Sequence, residues 1–359
     1  MDGSAGAEHY RAPLLLHSLA EFREIIYGCL DAAGVRSIAE VGAEDGHFTS
    51  ELLQWSAGRD VRVVAVDPEP SAALLRLAVD EPRLELVAKT SLDALPELDA
   101  LDAYVIDGDH NHYTVLHELR AIASNARNQF PIVLLHDVAW PWARRDLYYA
   151  PDVIPDDARQ PYTFDAGVVP GDPSVVAAGF RGEGEFAVAL TEGGANNGVR
   201  TAVEDFMAER PGLVFRIVPA VFGLGVLFDE RAPYAGAVDA VVAVYDGNPL
   251  IERLERNRLD LYMAVLGGAD GRSGPVGELR SALEQAQLHI RDLESENKAL
   301  WAERAEHEER AEAGRRLAAE VRALIAAKPF RVAETVARLR SSSGVSRAHV
   351  EAVLRELGL

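Results

Sequence analysis

Two short stretches of this sequence concentrate groups able to bind a cation and move a proton. The first is Val105-Ile-Asp107-Gly-Asp109-His110-Asn-His112-Tyr113, and the second is Leu134-Leu-His136-Asp137. Each opens on an apolar run of strand length, and adjacent parallel strands would set Asp107 and Asp137 side by side at one sheet edge. Two carboxylates with imidazole nitrogens nearby can hold Mg²⁺ or Mn²⁺. Such a cation lowers the pKa of a hydroxyl bound to it, and a nearby His can take the proton. The alternative is that Asp107 caps the following helix and the His rings only hydrogen-bond. His117 falls inside a helical pattern and reads as structural.

A second constellation lies upstream, in Ile38-Ala-Glu40-Val-Gly42-Ala-Glu44-Asp45-Gly46. Gly42 and Gly46 allow a tight turn and close approach of a ligand to the backbone. The spacing is Gly-x-x-x-Gly, not the Gly-x-Gly-x-x-Gly of dinucleotide sites. Glu44 and Asp45 would repel a pyrophosphate and favour a cationic ligand. Asp67 ends the next apolar run, where a carboxylate can grip a ribose diol. Loop and acid together predict a nucleoside site.

The elements that must position these groups are short and alternate. Strand-length apolar runs cover 36–41, 61–66, 84–87, 103–106 and 132–135, with helical patterns at 49–55, 71–80 and 113–125. That order predicts a parallel sheet with helices on both faces. A helix over 198–209 and strands over 213–218 and 223–228 follow, the last two joined through Pro219 by a link too short for a crossover. The expected fold is therefore α/β and Rossmann-like, five parallel strands plus an antiparallel C-terminal hairpin. Residues 138–198 form a Pro- and Gly-rich insertion at the reacting end and read as a lid. Trp140, Arg144, Arg145 and Tyr148 are its candidate substrate contacts. Aromatic faces with polar forks suit a sugar or an aromatic polyol, and the Arg pair could clamp a phosphate or carboxylate. The alternative is a subunit-contact flap whose aromatics pack on the core.

Beyond the sheet, Leu279, Leu283, Ala286, Ile290, Leu293, Asn297 and Leu300 alternate steps of four and three, an a/d heptad seam that predicts a coiled coil and a homo-oligomer. Lys328-Pro329 breaks it, and short helices are expected around 332–339 and 346–357, the latter with Ser346 as N-cap. The expected organisation is 1–245 for the sheet domain, 246–275 for a connecting helix and linker, 276–328 for the coiled coil and 329–359 for the last helices.

Charge and composition exclude several classes. The 359 residues carry a net charge of −21, and 276–359 balance 14 acids with 14 bases, so the first 275 residues carry all of it. Nucleic acid or an anionic membrane surface needs a basic footprint instead. One Cys rules out an internal disulfide and a Cys-based zinc cluster. The longest apolar run, 217–228, is far below the ~20 residues that span a bilayer. With no signal-like start, the expectation is a soluble cytoplasmic protein.

Glu40-Val-Gly42-Ala-Glu-Asp-Gly46-His-Phe-Thr, with Val-Val-Ala-Val-Asp67-Pro, resembles class I S-adenosylmethionine-dependent methyltransferases over roughly residues 20–230. The resemblance implies that Glu40, Gly42 and Gly46 surround the methionine part of the cofactor, that Asp67 holds the ribose and that Ser91 contacts adenine. Ile-Asp107-Gly-Asp-His110-x-x-Tyr, with a following strand ending in Asp137, is similar to metal-dependent small-molecule O-methyltransferases of the catechol and natural-product sugar types. In that likeness Asp107 and Asp137 fall on metal-ligand positions, with Asp107 also lining the cofactor site. His110 falls where the catechol type has its catalytic Lys. The second acid of the usual pair after the fifth strand is here Val138, so one ligand is either missing or replaced by His136 or Asp109, and His136 is the alternative base. The implied activity is transfer of a methyl group to a hydroxyl of a small molecule, a sugar or glycosylated natural product. A metal-independent transfer using a His base, and a non-catalytic cofactor-binding scaffold, are the competing readings.

Overall fold

The computed structural model describes residues 18–268 continuously and, beyond them, 304, 310–311, 313–319, 321–323 and 346–356. The chain divides into two compact units, Met1–Gly277 and Glu278–Leu359. In the second, helix Arg347–Glu356 begins with the Ser346 hydroxyl accepting from the His349 N–H at 3.2 Å, the expected N-cap. The heptad positions from Leu279 to Leu300, and the helix expected at 332–339, lie outside the described residues. No helix among the described residues is long and apolar enough to cross a membrane.

The first unit is built on β1 (Ser37–Val41), β2 (Arg62–Val66), β3 (Leu84–Val87), β4 (Ala103–Ile106), β5 (Ile132–Leu135), β9 (Leu213–Val218) and β10 (Leu224–Asp229), in the order β3-β2-β1-β4-β5-β10-β9. The first five pair in parallel; β10 runs antiparallel to both β5 and β9. This is the expected mixed sheet. The hairpin inserts its second strand against β5 and leaves β9 at the edge.

Central strands are buried on both faces, as parallel strands under helical layers must be. Ile38, Val63, Val105 and Leu134 face α1 (Arg23–Ala33), α2 (His47–Trp55) and α7 (Ala235–Val242). Ala39, Val64, Ile106 and Leu135 face α5 (His112–Asn125) and α6 (Val199–Glu209). α3 (Ala72–Asp80) is capped by the Ser71 hydroxyl. The N-cap of α5 is Asn111, whose Oδ1 accepts from the Thr114 N–H at 2.8 Å, so Asp107 is not spent as a helix cap.

The insertion is less irregular than its Pro and Gly content predicts. It contains a second sheet, β6-β8-β7, formed by Leu147–Tyr148, Ala187–Ala189 and Tyr162–Thr163. Buried Asp146 ties it to the domain. Its Oδ1 accepts from the His112 and Gly198 N–H groups, both at 2.7 Å, at the starts of α5 and α6. Its Oδ2 accepts from the Tyr148 hydroxyl at 2.7 Å. One short acid thus satisfies donors on two helices and one strand.

Asp146→Ala would leave two backbone donors and a hydroxyl buried without that acceptor, and should cost roughly 3 kcal/mol or more. Urea unfolding should show the loss, and limited proteolysis should cut first within 150–190. An unchanged midpoint and digestion pattern would refute the role.

Candidate active site

Ladder register places the site. Val41 pairs with Val66 and with Ile106, and Ile106 pairs with Leu135. Each following residue continues the ladder by one bond: the Gly42 N–H donates to Val66 O, Asp107 N–H to Val41 O and His136 N–H to Ile106 O. Gly42, Asp67, Asp107 and His136 therefore stand in one row at the carboxyl edge, the edge where open α/β sheets bind ligands.

Gly42 has φ +85°, and a Cβ there would lie 2.4 Å from the Asp107 carbonyl oxygen. Only glycine lets the loop cross β4 this closely. The Asp67 carboxylate closes the loop from the other side, accepting from the Glu44 N–H and the Glu69 N–H, each at 2.8 Å. Two acceptors per oxygen leave it able to take a diol as well. Glu40 is buried and accepts from the Thr49 hydroxyl at 2.6 Å. Burial raises its carboxyl to about 8 against the help of Thr49, and the charges of Asp107, Asp45 and Asp67 add to the rise.

Ser91 opens α4 (Ser91–Ala94), with Thr90 as its N-cap. Its hydroxyl lies against Glu118, which burial raises to about 8. Glu118 is fully buried on α5 and was not singled out by the sequence reading. The signal was there: Glu118 falls between Val115, Leu119 and Ile122 on the apolar face of the helix.

At the reacting end, one ligand atom each from Asp107, His136 and Asp137 lies within 4.8 Å of the others. His136 Nδ1 is 3.0 Å from Asp107 Oδ1 and 3.5 Å from Asp137 Oδ2. Its Nε2–H donates to the Val221 carbonyl oxygen at 3.0 Å. Burial opposes charge on this ring, but Asp107 and Asp137 overcome it and raise the imidazolium to about 10. His110 Nε2 stands 3.4 Å from Asp137 Oδ2. Asp109 lies apart from the cluster and accepts from the Thr114 hydroxyl at 3.1 Å. His112 and His117 are held elsewhere, His112 against Asp205 and His117 against the Tyr113 carbonyl.

The donor set fits a divalent cation: two carboxylates and an imidazole, with the second ring nitrogen occupied by a backbone carbonyl, as is usual for a ligating His. The backbone here is strained. Asp137 has φ +60°, Val221 +45° and Phe222 +65°, each costing about 1–2 kcal/mol for a residue with a side chain. The strained segments interlock, since the Ala139 N–H donates to Phe222 O at 2.7 Å.

Of the residues singled out in the insertion, Trp140 is half-buried with its ring 6.4 Å from Phe222. Arg144 forms a two-pronged pair with Glu204, at 2.6 and 2.7 Å. Arg145 is buried and donates to the Ala189 and Pro173 carbonyls, and Tyr148 is buried with its hydroxyl on Asp146. The structure therefore does not bring either arginine or Tyr148 to the cluster. Tyr149 goes there instead. Its ring is 6.1 Å from His110. Desolvation around its hydroxyl and the charges of Asp137, Asp107, Glu44 and Asp109 raise that group well above the usual phenol range, although the residue as a whole is exposed. Tyr148, the last residue of β6, is buried within the insertion, and Tyr149 follows it on the side of His110.

Residues 39–138 match the family model described as a methyltransferase domain. Similar solved structures include a Staphylococcus aureus protein described as a caffeoyl-CoA O-methyltransferase, at 11% identity over 58% of this chain and 83% of that one, TM-score 0.36. The cofactor-bound protein Rv0187 from MTB is similar at 18% identity over 61% and 84%, TM-score 0.35. The SAH-bound methyltransferase PaMTH1 of Podospora anserina is similar at 15% over 57% and 76%, TM-score 0.35. No curated protein sequence matches this chain. The matched segment runs from β1 to three residues beyond β5 and holds the ligand edge of the sheet.

Proposed function

We propose that this enzyme methylates a hydroxyl of a small, uncharged or cationic acceptor, a sugar or glycosylated natural product, with a divalent cation at Asp107, His136 and Asp137. The observation that carries this reading is the convergence of those three side chains one or two residues beyond the strand ends, beside the loop that Gly42 opens. When bound, S-adenosylmethionine supplies an electrophilic methyl group, and Mg²⁺ or Mn²⁺ acidifies a hydroxyl that it holds. The chain's part is positioning and proton transfer. Glu40 and the loop at 42–46 take the methionine part, Asp67 the ribose diol and Ser91 the adenine side. Asp107, Asp137 and His136 Nδ1 would hold the cation, which must displace the proton that the two carboxylates favour on that nitrogen, and the Val221 carbonyl keeps the His136 ring turned toward the carboxylates. His110, beside Asp137, takes the acceptor's proton.

The surroundings support the acceptor class. Glu44, Asp107, Asp109 and Asp137 all act on the Tyr149 hydroxyl, while Arg144 and Arg145 are committed to Glu204 and to backbone carbonyls. A phosphate or carboxylate acceptor would meet repulsion without a matching clamp. The Tyr149 ring offers a flat face to a sugar. The heptad seam from Leu279 would tie copies of the chain together.

A second reading has an observation of its own. The 3.4 Å approach of His110 to Asp137 can orient a base without any cation. Mn²⁺ binding separates the two. Asp137→Asn keeps the shape, and Asn tolerates a positive φ. It should weaken Mn²⁺ binding to the S-adenosylhomocysteine complex at least roughly tenfold while leaving the S-adenosylhomocysteine affinity within about threefold. Mn²⁺ electron paramagnetic resonance titration measures this, and equal affinity in the variant would remove the cation from the site.

Glu40 makes cofactor binding depend on pH. Its carboxyl, raised to about 8, is neutral below that value in the free protein, whereas the cofactor's ammonium favours the charged form. Affinity for S-adenosylmethionine should therefore climb from pH 6 to 8, by at most about tenfold per unit, and level off above. Calorimetry on Glu40→Gln should show weaker binding without that climb. A climb of the same size in Glu40→Gln would assign the dependence to another group.

A further inference from the structure

Helix α8 (Pro249–Gly268) follows the sheet, and no residue of it belongs to the site described above. One of its buried groups is nevertheless charged. Glu255 is 9% exposed and accepts from Arg258 through both oxygens, at 2.7 and 2.8 Å. The same carboxylate accepts from the Phe222 N–H at 3.2 Å. The Arg258 guanidinium lies over the Phe222 ring at 4.6 Å and near the Tyr262 ring at 5.6 Å. Phe222, Leu259 and Tyr262 form a small apolar cluster of their own, with Trp140 and Phe180 packed against it.

What α8 grips here is the turn between β9 and β10. A β-branched residue and a Phe stand there at φ +45° and +65°, a region that side chains make unfavourable. Such a conformation persists only where its surroundings over-determine it. On the far side, the turn holds the site: Val221 O accepts from His136 Nε2 and Phe222 O accepts from the Ala139 N–H. A continuous path of hydrogen bonds therefore runs from Arg258 and Glu255 through Phe222 and Val221 to the His136 ring.

We propose that Glu255, braced by Arg258, is a positioning residue of the cation site: it keeps the turn at Val221 and Phe222 in its left-handed conformation, so that the Val221 carbonyl fixes the His136 ring with Nδ1 toward Asp107 and Asp137. The inference rests on the reading of Asp107, His136 and Asp137 as cation ligands. A helix that merely packs on the sheet would not need a buried carboxylate at a backbone N–H. Arg258 offsets the charge, and the bond to the Phe222 N–H is what ties the carboxylate to the turn.

The test compares Glu255→Ala with Glu255→Gln, whose amide oxygen still accepts from Phe222. Both would be titrated with Mn²⁺ by electron paramagnetic resonance in the presence of S-adenosylhomocysteine, with S-adenosylhomocysteine affinity measured separately by calorimetry. Glu255→Ala should weaken Mn²⁺ binding about tenfold and leave S-adenosylhomocysteine binding within about twofold, because the hydrogen bonds that shape the loop at 42–46 and Asp67 run to other groups than the turn. Glu255→Gln should recover most of the lost Mn²⁺ affinity. Mn²⁺ affinity unchanged in Glu255→Ala overturns the inference, as does a parallel loss of both ligands or a failure of Gln to improve on Ala. If the wild-type protein binds no Mn²⁺, or binds it equally in Asp137→Asn, the cation-site reading itself fails and the positioning role falls with it.

Discussion

Four parallel strands of this sheet stop in one row, and the chemistry depends on where they stop. Val41, Val66, Ile106 and Leu135 are register partners in successive pairs, so the residues after them arrive together at the same edge. A slip of one residue in any ladder would turn a buried strand over, since side chains alternate across it. Burial on both faces, with Val105 and Leu134 on one and Ile106 and Leu135 on the other, is what forbids the slip. Packing of ordinary aliphatic residues thus sets the spacing of Gly42, Asp67, Asp107 and His136.

The edge so made is completed by segments that cost energy to hold. Asp137, Val221 and Phe222 all have positive φ, and Gly42 admits no side chain because the end of β4 passes over it. The strain at Asp137, Val221 and Phe222 is held by the interlock of the β5 extension with the β9–β10 turn. Rigidity there is useful. A cation site and a base need fixed geometry, and groups held before the ligand arrives lose less entropy on binding. The insertion is tied in through Asp146, which fastens the starts of α5 and α6 to Tyr148, the last residue of β6.

The charge of the chain follows the same logic. Its −21 resides in the first 275 residues, and part of it converges on the ligand edge as Glu40, Glu44, Asp67, Asp107, Asp109 and Asp137. A cluster of that kind is unstable unless some groups are neutral, are paired, or meet a cation. Glu40 is held toward its neutral form and His136 toward its charged form, two local answers to one excess of negative charge. A sulfonium cofactor and a divalent ion are chemically suited to such an edge.

Because strand and helix periodicities are local properties of the chain, alternating apolar runs and helical patterns were enough to place the seven strands of the main sheet and helices α2, α3, α5 and α6 within two residues, though not α1, α4 or α7. The Gly-x-x-x-Gly loop, Asp67 and the pair of acidic strand ends were legible for the same reason, each tied to the end of a local element. Side-chain direction was not. Whether Tyr148 or Tyr149 faces the site depends on pairing of β6 with β8, 39 residues away along the chain at Tyr148 and Ala187. The fate of Arg144 and Arg145 depends on Glu204 and on the Ala189 and Pro173 carbonyls, and Glu118 meets Ser91 only across packed elements. The sequence by itself determined the order of elements and the types of group that reach the edge; tertiary structure alone decided which of them meet, because contact between distant residues is set by packing and long-range pairing, which no local pattern encodes.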